Sequence, residues 1–225
     1  MTVKNYHKME TLYTKIKYLE HLNFIKPSGF MLNSDEIYEK SITNGKIYIY
    51  VATDEHFPHS AIFGQVVISI RFTNVEDIFS QACASTNNLV YVAEDDDFTF
   101  GKGFAHSVIG QANFDSLCDN EVHDDQSFNV VRPLLEQMIN AALQWANQND
   151  TLQNAYNNAE LLSFDARTKL YSQPFPNKYL IVKKLLNKPD FQSYYNELID
   201  FYTNEEPDSN EITFLQTLKT HLDNL

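Results

Sequence analysis

Polar and apolar positions alternate along much of the first half of the chain and follow a helical repeat in the second half. Met9, Leu12, Ile16 and Leu19 recur at spacings of three and four, which predicts an N-terminal amphipathic helix. Pro27-Ser28-Gly29 ends it. Residues 36–42 and 46–53 then read as strands joined at Asn44-Gly45, a pair suited to a type I′ hairpin turn. Ile47, Ile49 and Val51 share one face of the second strand, opposite Tyr48 and Tyr50. A third strand over 62–73 places Val66, Ile68, Ile70 and Phe72 together. Asn74 is expected to cap a helix over 75–84, with Glu76 and Asp77 at its positive end. Residues 89–93 and 99–109 read as two more strands, with Gly101 and Gly103 marking a bulge or bend.

From Asn129 onward Val131, Leu134, Leu135, Met138, Ala142 and Trp145 form a helical stripe, with Pro133 placed in the first turn. Asp150 is expected to cap a short helix ending near Ala159. Residues 177–186, 190–202 and 211–222 make three further helices, separated by Pro189 and by 205–208. Strands followed by helices define an α+β fold: an N-terminal helix, an antiparallel sheet of about five strands and a helical C-terminal half. Residues 1–128 are expected to form the helix and antiparallel sheet and 129–225 a helical region, packed on the sheet as one domain or separated from it as a second at a boundary near 126–130. The expected core includes Leu12, Ile16, Leu19, Ile68, Ile70, Leu135, Met138, Trp145, Leu185 and Leu198.

The chain has 225 residues and is 43% hydrophobic, enough to bury a sizeable core without disulfides or metals. A net charge of −13 argues against nucleic acid and anionic membranes as partners. That charge is uneven. Residues 51–128 carry thirteen acidic side chains against Arg71 and Lys102, whereas residues 1–50 carry seven lysines and five acids. The acids gather at Glu94-Asp95-Asp96-Asp97 and again at Asp115, Asp119, Glu121, Asp124 and Asp125. Asp95, Asp96, Asp97, Asp119, Glu121, Asp124 and Asp125 are therefore the expected rim of a surface that attracts a basic protein partner. Only two cysteines occur, Cys83 and Cys118, which are expected to be reduced, buried thiols and not a disulfide framework, and the first residues lack the apolar core of a signal peptide. No apolar run approaches the ~18 residues of a membrane span. The expected location is the cytoplasm.

Motifs for catalysis fail one by one. Asp95, Asp97 and Thr99 begin like a calcium loop, but Phe100 and His106 stand where Gly and Glu are needed. Gly101-Lys102-Gly103 is too short for a phosphate loop, and no GxSxG elbow occurs. Asp54, Glu55, His56 and His59 offer metal-ligating groups, but the histidines are three apart with Pro58 between them. No cofactor, metal or catalytic residue is expected. The alternatives are a metal-assisted hydrolase using His56, His59 and nearby acids, and a structural homo-oligomer built on exposed tyrosines.

One resemblance bears on function. The amphipathic helix running into Lys26-Pro27-Ser28-Gly29-Phe30, the Tyr38-bearing strand, Trp145, Asp150-Thr151-Leu152 and the helices over 178–202 resemble uncharacterised bacterial families known only as domains of unknown function. Some of those look like immunity proteins encoded beside polymorphic toxins. The resemblance implies a binding protein and supplies no catalytic residues. The acidic middle segment departs from it.

Overall fold

Alternation of side chains builds one antiparallel sheet, seen in a computed structural model that describes residues 18–20, 22–56, 60–92, 98–207 and 209–225. Its strands are β1 (Met31–Leu32), β2 (Tyr38–Ile42), β3 (Gly45–His56), β4 (Ser60–Phe72), β5 (Phe100–Phe104) and β6 (Glu121–Val122). The first five lie in the order β1-β2-β3-β4-β5, and β6 pairs with β4 through Ala61↔Val122 and Ile62↔Glu121. In β3 the alternation holds: Ile47, Ile49 and Val51 are buried while Tyr50 is exposed. In β4, Val66, Ile68, Ile70 and Phe72 are all buried. The fold class is α+β with a helical C-terminal half.

Two compact units share these elements. The first comprises Met1–Ser41, Ile47–Ser69 and Lys102–Gln148. It holds α2 (His106–Ile109), α3 (Gln111–Asp119) and α4 (Asp125–Gln148), following α1 (Thr73–Ser85), which belongs to the second. Its core includes Tyr18 stacked on Phe128 at 4.7 Å, with Phe63 at 5.8 Å from the same ring. The second unit comprises Ile42–Lys46, Ile70–Gly101 and Asn149–Leu225. It adds α5 (Leu152–Glu160), α6 (Phe164–Leu170), α7 (Phe175–Leu185), α8 (Phe191–Glu205) and α9 (Glu211–Asp223). Phe72, Phe100 and Tyr171 form one aromatic chain in its core, and Phe79, Tyr91 and Phe214 form another. No helix among the described residues is long and apolar enough to cross a membrane.

Several expectations need correction. At the hairpin only Asn44 is left-handed, with φ 62°, so the turn is not type I′. Gly45 is needed for a different reason: a Cβ there would run into the Arg71 carbonyl oxygen. Asn74 caps nothing. α1 continues directly from β4, Phe72 occupies the cap position, and the Thr73 N–H is taken by the Asn44 carbonyl at 2.8 Å. Residues 89–92 form no strand; Asn87 and Asn88 turn the chain at φ 54°, and Tyr91 turns its ring onto Phe79 and Phe214. The strand expected over 99–109 stops at Phe104 and gives way to α2. Gly101 sits there because a Cβ would lie 2.7 Å from the Phe98 ring.

The helical half starts earlier than its apolar stripe. α4 begins at Asp125, so Pro133 lies two turns inside it and not in the first turn. Trp145 is only half-buried, as large rings often are; Ile139, Leu143 and Ala146 complete the buried face instead. Leu185, at the end of α7, and Leu198 are also half-buried, since α8 buries no residue completely. Thr151, not Asp150, caps α5, its hydroxyl accepting from the Asn154 N–H at 3.2 Å. α3 and α6 were not expected at all. Leu19 is buried as expected, whereas Met9, Leu12 and Ile16 lie outside the described residues.

Candidate functional site

From Gly103 to Val131 the chain has no Lys or Arg and five acids, Asp115, Asp119, Glu121, Asp124 and Asp125. All five are exposed and belong to the first unit. Local structure explains how each is held. Asp115 and Asp119 are four residues apart on α3, so they share a face, and Leu117 between them is buried. Asp115 accepts a 2.6 Å hydrogen bond from Gln111. Glu121 lies in β6, opposite Ile62, and accepts a hydrogen bond from the Ser60 hydroxyl.

Asp124 has a second task. Its carboxylate accepts from the Ser127 N–H at 2.7 Å and from the Ser127 hydroxyl, while Ser127 Oγ accepts from the His123 and Asp124 N–H groups. It is the N-terminal cap of α4. Those hydrogen bonds, with His123 close by, hold its carboxyl below the usual range. The field of these acids registers on Cys118, whose thiol is pushed up by burial and then by Asp115 and Asp119. A raised thiol is less often the reactive thiolate, so this setting does not activate Cys118 as a nucleophile. The first following cation, Arg132, is engaged by Glu136 at 2.7 Å.

Asp119, Glu121, Asp124 and Asp125 thus lie exposed within seven consecutive residues of the chain. Asp95, Asp96 and Asp97 lie outside the described residues, as do His59 and the side chain of His56. Among the described residues no three His, Cys, Asp or Glu side chains are grouped to hold a metal ion.

Sequence reasoning missed a polar centre in the second unit. Lys178 and Glu76 are fully buried, with Nζ 2.7 Å from Glu76 Oε2. Lys178 also donates to Ser172 Oγ at 2.7 Å and to the Phe98 carbonyl at 3.0 Å, using all three protons. Thr99 donates to Glu76 Oε1 at 2.7 Å and accepts from the Phe72 N–H at 3.1 Å. Ser172 donates to the Phe98 carbonyl. Every group is engaged, so the cluster offers no free base or nucleophile; it is a structural joint between α1, α7 and the 98–99 segment. Its sequence signal was the apolar run Tyr179–Val182 on a helix whose lysines cannot all face water. Lys183, also buried, shows the same thing, paired with Asp190 at 2.6 Å and lying over the Tyr179 ring.

No protein-family model, curated protein or solved structure matches the chain.

Proposed function

We propose that the chain is a non-enzymatic, cytoplasmic binding protein that recognises a basic protein partner, as an immunity protein of a bacterial toxin would. The observation that supports this reading is the unbroken acidic stretch over 103–131, with five exposed carboxylates and no Lys or Arg among them. Such a surface draws a cationic partner into encounter and repels nucleic acid. A nuclease toxin is basic because it holds phosphates, and so suits this surface. Asp119, Glu121 and Asp125, all in the first unit, carry the recognition. Asp124 is set aside because its carboxylate caps a helix.

Association kinetics with the product of the neighbouring gene test this. Wild type should bind fast at low salt and more slowly as salt rises. Asp119→Asn, Glu121→Gln and Asp125→Asn combined should slow association about tenfold or more and flatten the salt dependence, leaving dissociation nearly unchanged. Equal association rates for wild type and the triple variant at all salt concentrations would refute the proposal.

A further inference from the structure

Buried polar atoms without partners collect around the first residue of α9. Asn177 is 1% exposed and its Oδ1 has no hydrogen-bond partner, while its amide nitrogen faces the Tyr91 hydroxyl. Glu211 Oε2 and Ser209 Oγ are likewise buried and unpartnered. Tyr91 ties the group together: its hydroxyl donates to Glu211 Oε1 at 2.5 Å, and the Asn177 amide lies beside the same hydroxyl. The Tyr91 ring is fixed by edge contacts with Phe214 at 5.0 Å and by Phe79 at 5.8 Å. All these residues belong to the second unit.

The charge is as unbalanced as the hydrogen bonding. Burial pushes the Glu211 carboxyl up, Glu206 adds to the effect, and the Tyr91 hydrogen bond opposes it. Tyr202 is pushed up by burial and then by Glu211 and Glu206. Among the described residues no Lys, Arg or His offsets either group. A helix N-terminus ordinarily attracts an anion, but here a carboxylate already occupies it and a second lies close. Two buried acceptors linked through Tyr91, Glu211 Oε2 and Asn177 Oδ1, call for a donor. Water would satisfy the hydrogen bonds and leave the charge. A positively charged donor satisfies both, and the phenol rings of Tyr91 and Tyr202 suit a cation.

We propose that Tyr91, Asn177 and Glu211 form a binding site for a cationic N–H donor, an alkylammonium or guanidinium group, with Glu211 as counter-charge and the Asn177 carbonyl as buried acceptor. The site uses none of the residues of the acidic stretch, so it stands or falls independently of the function proposed above.

The test titrates the full chain with methylguanidinium and methylammonium, observed through the side-chain carboxyl carbon of Glu211 and the amide protons of Asn177 by NMR. Tetramethylammonium, a cation without N–H groups, serves as control. Saturable one-to-one binding of either donor is expected, with tetramethylammonium failing to compete. Glu211→Gln should weaken binding about tenfold or more, as loss of a charge-assisted hydrogen bond does. Tyr91→Phe, which retains the ring and removes the hydroxyl that occupies Glu211 Oε1, provides a second variant should Glu211→Gln fold poorly, and should change the binding constant several-fold from wild type; an unchanged constant would remove Tyr91 from the site. A blocked arginine or lysine peptide distinguishes the source. Tighter binding than the free cation assigns the site to a partner's side chain, and binding of the free cation alone assigns it to a small molecule. Absence of saturation, meaning water alone fills the site, overturns the proposal. So does equal binding of tetramethylammonium.

Discussion

At Lys178 and Glu76 a pair of opposite charges sits where neither could stand alone. Removing one partner leaves an uncompensated buried charge, which typically costs about 3–5 kcal/mol, whereas replacing both by apolar groups of similar volume is often neutral. Lys178→Met and Glu76→Gln are each expected to lower unfolding free energy by about 3–5 kcal/mol in urea titrations. Lys178→Met combined with Glu76→Leu should recover most of that loss. If the double variant is as unstable as the sum of the singles, the pair is not coupled and the joint lies elsewhere in the network. Composition alone hid this centre, because a glutamate two residues after Asn74 reads as a helix-end charge. What makes Glu76 different is a lysine 102 residues away. The acids of 115–125 were legible one by one. That Asp124 is a cap was not, because Ser127 had not been read as its partner.

Elements were most legible where a single face is buried. β4 could be read from its alternation because the odd and even positions meet different surroundings. The helices α7, α8 and α9 were read within a few residues of their ends because Pro189, and Pro207 beside two glutamates, separate them. α3 was missed because its four acidic and amide side chains masked the spacing of Phe114, Leu117 and Cys118. The span 89–92 failed for the opposite reason: only Tyr91 packs, on Phe79 and Phe214, while Leu89 and Val92 are exposed, so there is no buried face for a ladder to cover. Pro133 carries an element-scale prediction. Inside a helix a proline costs about 3 kcal/mol by removing one N–H and crowding the preceding turn. Position 133 is exposed, so nothing in the core depends on the ring. Pro133→Ala is expected to stabilise the protein by about 1–3 kcal/mol in urea unfolding; no gain would mean that α4 has already adjusted to the ring.

For the molecule as a whole, a net charge of −13 sets up self-repulsion that salt relieves. The pair Lys178–Glu76 is buried and little affected by screening, whereas the surface pair Lys169–Asp165 is worth little to begin with. Raising sodium chloride from about 0.01 to 0.5 M, across which the Debye length falls several-fold, should therefore raise the melting temperature at neutral pH. A fall in calorimetry would show that attractions between surface charges outweigh the repulsion. The α+β architecture was legible from the order of the two periodicities, since that order is a property of the whole sequence. How the chain divides its compact units was not, because each unit collects pieces separated by the other.

The long span of the Lys178–Glu76 pair also governs the chain while it is being made. At about 5–20 residues per second, the 102 residues between them take roughly 5–20 s to synthesise. During that interval Glu76, and after it Thr99, are made without the ammonium that completes their network. The second unit therefore closes only after most of the chain has emerged, with α7 supplying the counter-ion and α9 the Phe214 ring that packs on Phe79 and Tyr91. Truncation anywhere before residue 178 leaves this unit unable to finish, however well the earlier strands have formed.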